Sequence, residues 1–405
     1  MAGRKIGMVL NAFYPHDIRV SKEVSALTEA GHEVFLLCYK RNGEPSDERV
    51  DGANVKRVWI GESKIAEGLW DMVNACLFYH PRIGSALKSF VREFSIDVLH
   101  VHDLPLAGTV ASVATKENLP WILDLHENYP EAVRVWFGWR KNLLIRLKNR
   151  IFFNPSYWQN LEGIAARSAD GIIAVVEEMR ERLAGLHSIP EEKIRVISNT
   201  ESRQFLKQPL QENIYGDLSG SFLILYSGYI GPHRGVDTVI RAMEHLARFR
   251  DIHFVIVGTG SRDVMQNLNS LTQKLGVENQ VHFKGFQPFD TFLSYMSGAS
   301  LTVIPHKRNG HTDHTIPHKL FQSMMAGKPV LVSSCRPLRR TVEENRCGLV
   351  FEAEDPADCA EKILSLYKSD EMLKTVGENG RLATLEGTLN WESSSRELLQ
   401  LYRSF

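Results

Sequence analysis

Arg234 stands in Gly228-Tyr-Ile-Gly231-Pro-His-Arg-Gly235, a run with three glycines between a strand-like and a helix-like pattern. Glycines let backbone amides approach a ligand, and a guanidinium offers parallel N–H donors, so the run suits a diphosphate. A flexible connection is the competing reading, and the spacing is not the GxGxxG fingerprint. A second polar run, His314-Thr315-Ile316-Pro317-His318-Lys319, leads into a helix carrying Leu320, Phe321, Met324 and Met325. Unpaired N–H groups and the dipole at a helix start favour an anion, and Gln322 is placed to reach a neighbouring hydroxyl. A phosphate beside a hydroxyl describes a nucleotide sugar. The same run also fits an ordinary helix–Gly–strand joint, ending at Gly327 and reopening at Pro329. Gly258-Thr-Gly260 opens another helix, where a plain tight turn competes with ligand contact.

Two further strand ends carry histidine beside carboxylate: His100-Val-His102-Asp103 and Asp124-Leu-His126-Glu127. Such pairs are candidates for a cleft-facing site, with His126 the stronger and His102 the weaker. Their spacing along the chain lacks the close ligand pattern of a metal site, and no Asp-x-Asp is present, so no metal is expected. Asp17, in Asn11-Ala-Phe-Tyr-Pro-His-Asp17-Ile-Arg19, suits a helix N-cap and, with Arg19, an acceptor-side polar group.

These residues sit where strand patterns give way to helix patterns. Apolar runs at Lys5–Leu10, Glu33–Tyr39, Asp97–His102, Trp121–Leu125, Gly171–Val176 and Ile194–Ser198 alternate with helical ones. The rhythm pauses over a polar, Pro- and Gly-containing stretch at 206–220, which reads as a linker, and restarts at Phe222–Ser227. Alternation of this kind predicts an α/β chain of two doubly wound, Rossmann-like parallel-sheet domains facing a cleft. Ligands then bind beyond the carboxyl ends of the strands.

The chain has 405 residues, long enough for two cores. Lys+Arg and Asp+Glu are 48 each, which leaves no basic field for nucleic acid. No apolar run is long enough to span a bilayer. Met1-Ala-Gly-Arg-Lys5 leads directly into a strand, without room for a signal peptide. The five scattered cysteines (Cys38, Cys76, Cys335, Cys347, Cys359) fit neither a disulfide framework nor a zinc site, which implies a reducing cytoplasm. From Ala132 to Gln159 basic and aromatic residues interleave without a carboxylate, among them Trp136, Trp139, Arg140, Lys141, Arg146 and Lys148. That mixture suits docking on an anionic membrane surface, or a helix whose aromatics pack on its own domain.

Together these residues resemble the GT-B-fold glycosyltransferases of family 4, which retain anomeric configuration and use nucleotide-sugar donors. The resemblance spans nearly the whole chain. Asp17-Ile-Arg-Val20 with Gly31-His-Glu-Val34 looks like the family's opening, and Tyr226 to Asp237 looks like its diphosphate loop. Pro317 to Val330 is similar to its donor signature. The resemblance implies an N-terminal acceptor domain over 1–205 and the linker 206–220. A donor domain over 221–385 and a C-terminal helix over 386–405 that crosses back follow. It implies that His126 contacts the donor sugar, that Arg234 replaces the usual diphosphate lysine, and that Gly228, Gly231, Gly258, Gly260 and the 314–319 run line the donor. The signature's two glutamates are His314 and Gln322 here, the second being the usual ribose acceptor, and Tyr229 replaces an arginine. The implied activity is a metal-independent hexosyl- or N-acetylhexosaminyl-type transfer, without a cofactor, onto a glycan or lipid-linked acceptor in envelope polysaccharide synthesis. The enzyme would be cytoplasmic and peripheral on the inner membrane face. A nucleotide-sugar epimerase of the same fold and a non-catalytic scaffold are the alternatives.

Overall fold

The apolar strand runs form the centres of two sheets in a computed structural model that describes residues 3–61, 64–138 and 151–405. The chain divides into one unit of Met1–Ser198 with Ser395–Phe405, and a second of Asn199–Ser394. Each unit is an α/β sheet wound in both directions from its centre.

The first sheet contains β1 (Lys5–Leu10), β2 (Glu33–Tyr39), β3 (Asp47–Val50), β4 (Ala53–Val58), β5 (Val98–His102), β6 (Trp121–Leu125), β7 (Gly171–Ala174) and β8 (Ile194–Val196). Its order is β3-β4-β2-β1-β5-β6-β7-β8, parallel throughout except the edge hairpin β3–β4. Every residue of β5 and β6 is buried, as expected for strands covered on both faces. The order reverses between β1 and β5, so the loops after these strands flank the switch point where such sheets bind ligands.

The second sheet contains β9 (Phe222–Ser227), β10 (Ile252–Val257), β11 (Val281–Gly285), β12 (Leu301–Ile304), β13 (Val330–Ser333) and β14 (Gly348–Phe351). It is wholly parallel, ordered β11-β10-β9-β12-β13-β14, with its switch point between β9 and β12. Ile224, Phe254, Val303 and Leu331 contribute to its core.

The stretch 206–220, read from its polarity as a linker, belongs to the second unit. Phe205 and Tyr215 are buried against Leu293, Tyr295 and Met296, and the Tyr215 hydroxyl donates to the Tyr295 carbonyl at 2.6 Å. Tyr215 within the polar run, with Phe205 just before it, docks the stretch. The last helix, Trp391–Arg403, starts in the second unit and finishes in the first. There Tyr402 is buried, its hydroxyl 2.6 Å from Nδ1 of the buried His100. Tyr402→Phe leaves that nitrogen without a partner, at a cost of about 1–3 kcal/mol, or a fall in melting temperature of roughly 2–4 °C per kcal/mol. An unchanged melting curve would show the contact to be energetically idle.

Candidate active site

In the second unit the loops after β9, β10 and β12 meet at the switch point. Gly258 has φ 140°, and a Cβ there would lie 1.9 Å from the Gly228 carbonyl oxygen. Gly235 has φ 68°, and its Cβ would lie 1.7 Å from the Pro305 oxygen. Gly260 bridges Ile230, and Gly231 sits against the His233 ring. Gly235, Gly258 and Gly260 therefore serve loop-on-loop packing, where a side chain would collide with backbone.

That packing presents two basic side chains. Arg234 contacts the His306 ring at 3.1 Å, its Nε is buried without a partner, and it has no ion pair among the described residues. Lys319 lies 3.7 Å over the Tyr226 ring and donates to the Ser227 carbonyl at 2.7 Å. Burial, and then Arg234, push its ammonium well below the usual lysine range. Around them burial, followed by the Arg234 charge, lowers His233 to about 4 and His311 to about 3, and holds His306 well below its ordinary value. The imidazoles are neutral and leave the positive charge to Arg234. An anion is the missing partner of such a group.

The 314–319 run is wound by internal contacts. The His314 ring Nδ1 donates to the Gly310 carbonyl at 2.7 Å, and the Thr315 hydroxyl donates to the His311 carbonyl at 3.1 Å. Ile316 is buried, Pro317 caps the helix His318–Met325 without a side-chain bond, and Gln322 is buried on that helix.

In the first unit strand geometry gathers the histidines. His100 and His102 are two apart on β5, and His102 is the register partner of Asp124 on β6. His126 follows two residues after Asp124. A period of two puts all four side chains on one face. Asp124 Oδ2 lies 2.6 Å from His126 Nε2, 3.1 Å from His102 Nδ1 and 3.4 Å from His100 Nε2. Burial would raise the Asp124 carboxyl, but the three imidazoles outweigh it and hold it well below the usual range. Burial and Arg19 would lower His126, yet Asp124 and Asp103 raise it. Burial, with His100, lowers His102 to about 3. The two histidines are thus shifted in opposite directions over one carboxylate, His126 up and His102 down.

His126 Nδ1 is buried without a hydrogen bond, 3.9 Å from Asp103 Oδ2. Asp103 holds φ 64°, a conformation rare outside glycine, and its carboxylate accepts the His126 backbone amide at 3.1 Å. Asp17 caps the helix Ile18–Glu29 by accepting the Arg19 amide at 3.0 Å. The same carboxylate takes the Arg19 guanidinium through two bonds of 3.0 and 2.7 Å. Burial would raise Asp17, but Arg19 holds it well below the usual range. Cap and ion pair are one arrangement, which is the N-cap reading of Asp17 with Arg19 added.

Sequence spacing missed what the fold adds to this cluster. Glu23, His100, His102 and Asp124 bring ligand atoms within 4.8 Å of one another, all buried, so these four could hold a metal ion. The histidines, without close ligand spacing along the chain, are close across strands. Burial, then Asp124, raises Glu23 well above the usual range, which leaves it neutral beside the ionised Asp124. Asp103, Asp124 and Glu23 were legible only as neighbours of histidine or as helix polar residues.

In the basic aromatic stretch, Trp158 is buried against Tyr129 and Phe78, and Trp136 meets Tyr129 edge-on. Tyr157 is exposed. Trp139, Arg140, Lys141, Arg146 and Lys148 lie outside the described residues. No helix among the described residues is long and apolar enough to cross a membrane.

Two family descriptions divide the chain in the same way. Residues 18–200 match the glycosyl transferase 4-like domain, and residues 208–383 match glycosyl transferases group 1. The chain belongs to the GT-B glycosyltransferases of family 4 type. An uncharacterized glycosyltransferase of Methanocaldococcus jannaschii is 26% identical over 78% of this chain and 77% of its own. The capsular polysaccharide biosynthesis glycosyltransferase CapM of Staphylococcus aureus is 23% identical over 60% of this chain and 64% of its own. Among solved structures, Anabaena HepE in complex with UDP-glucose superposes with a TM-score of 0.74 at 13% identity, covering 99% of this chain and 100% of that one.

The neutral histidines of this glycosyltransferase's second unit give its stability a pH dependence. Unfolded, His233, His306 and His311 return to about 6.5 and bind protons that the folded unit refuses. Their contribution is therefore complete above about pH 6.5 and falls as pH drops toward about 4 and then about 3, by about 1.4 kcal/mol per pH unit for each proton. Calorimetric melts at pH 7 and 5 should show a lower, proton-consuming transition at pH 5. A transition of equal temperature at both would contradict the assignment.

Proposed function

We propose that the chain moves a hexosyl or N-acetylhexosaminyl group, with retention, from a nucleotide-diphosphate sugar to a hydroxyl of a glycan acceptor. The observation carrying this reading is the pair Arg234 and Lys319, neither with a carboxylate partner among the described residues, at the switch point of the second sheet. A diphosphate supplies the anion both lack, and its arrival would restore the proton affinity of Lys319. In the transfer the bond from sugar C1 to the phosphate oxygen breaks and the bond to the acceptor oxygen forms. The acceptor proton passes to the leaving phosphate. Fixed cations at that oxygen stabilise its developing charge without reorganisation. With two cations from the chain, the reaction as proposed requires neither a metal nor a cofactor.

His126 is proposed to contact the donor sugar, the role that the family resemblance implies, with Asp124 fixing its ring. Asp17, Arg19 and His102 are assigned to the acceptor side. A relative named for capsular polysaccharide biosynthesis and a structural neighbour holding UDP-glucose support a polysaccharide-building role with a nucleotide-sugar donor. The acceptor is proposed to be lipid-linked and membrane-proximal, with the enzyme peripheral on the cytoplasmic face, because of the basic aromatic stretch between Ala132 and Gln159.

Incubation with a panel of nucleotide sugars and glycan acceptors should release nucleoside diphosphate, equally with and without EDTA. Arg234→Ala should lower kcat/KM by roughly 10²-fold. Release abolished by EDTA and restored by a divalent ion would overturn metal independence and direct attention to the Glu23 cluster. Sugar conversion without acceptor would mark an epimerase, and no turnover of any donor a scaffold. Flotation with anionic liposomes should be lost when Arg140, Lys141, Arg146 and Lys148 are all changed to Ser; undiminished flotation would remove the membrane assignment.

A further inference from the structure

The family's donor signature places a glutamate where this chain has Gln322, and a neutral amide is a weaker acceptor for two ribose hydroxyls than a carboxylate. The fold brings a carboxylate back to that position from a distant part of the chain. Glu201 is buried, and its Oε2 accepts the Gln322 Nε2 at 2.8 Å. His318 Nε2, one turn earlier on the same helix, lies 3.2 Å from that oxygen. The other carboxylate oxygen accepts the Ser202 amide at 2.7 Å, and the Glu201 carbonyl accepts the Trp391 amide at 2.8 Å. Glu201 is therefore held in place at its backbone and at both carboxylate oxygens.

A carboxylate accepts and does not donate, so it dictates which way the Gln322 amide faces. The nitrogen must point to Glu201 and the oxygen away from it. That oxygen makes no hydrogen bond among the described residues. The result is an amide oxygen and a charged carboxylate side by side, two acceptors flanking one nitrogen, which suits a vicinal diol. Donation into a carboxylate also polarises the amide and strengthens its oxygen as an acceptor.

We propose that Glu201 is a specificity-determining residue that, with Gln322, reads the ribose diol of the nucleotide donor in place of the signature glutamate. The proposal rests on the nucleotide-sugar reading above. It assigns the negative charge to the segment just after β8 and the amide to the helix His318–Met325.

Calorimetry with UDP, GDP and ADP identifies the diphosphate bound by the unaltered protein, and the 2′-deoxy form of that nucleotide gives the ribose preference, expected to be about tenfold or more. Glu201→Gln should collapse the preference to near one by weakening the ribonucleotide alone, and Glu201→Asp should reduce it while keeping the charge. The exchange Glu201→Gln with Gln322→Glu should bring the preference back, because it returns the carboxylate to the helix. A merely structural role would weaken both nucleotides equally and lower the melting temperature. Retention of the preference in Glu201→Gln, or its absence in the exchanged variant, overturns the role of Glu201 and leaves the donor reading intact. Failure of the unaltered protein to bind any of the three diphosphates overturns both. Should Glu201→Gln not fold, Glu201→Asp and the exchanged variant decide the matter by the same ratio.

Discussion

An ionised carboxylate inside a parallel sheet has no water to turn to, and Asp124 imposes that constraint on the first unit. Three imidazoles compensate it, and each answers differently because its other neighbours differ. His126 gains a second carboxylate in Asp103 and is shifted up. His102, deep in the sheet and against its fellow ring, is shifted down. Burial, and then Asp124, raises Glu23. Burial and one carboxylate thus act together on every titratable group of this wall.

The second unit meets the opposite constraint. There the unbalanced groups are cations, and the histidines around Arg234 are kept neutral by burial, so they shape the pocket without discharging it. Carboxylates are kept out of reach of Arg234 and Lys319 but placed against Gln322. Cationic and carboxylate groups are thereby separated within the unit. The close approach of loops at Gly258 and Gly235 makes that separation durable, since backbone against backbone has little room to drift.

Much of this was readable along the chain because it is local. Strand runs, helix caps and the alternation of elements depend on neighbours, and the pairing of His102 with Asp124 follows once both are given to adjacent strand ends. What escaped was long-range. Tyr402 meets His100 from the far end of the chain, and Glu201 meets Gln322 through a fold that no spacing announces. The 206–220 stretch is polar in composition, and what docks it is Tyr215 together with Phe205 just before it. Gly235, Gly258 and Gly260 answer a steric need that composition does not announce.

The final helix has a consequence for folding. The first sheet is complete by residue 196, yet the hydroxyl that satisfies His100 comes from residue 402. The first unit is thus built from two stretches of chain with the whole second unit between them, and the contact that joins them must close a loop of 302 residues.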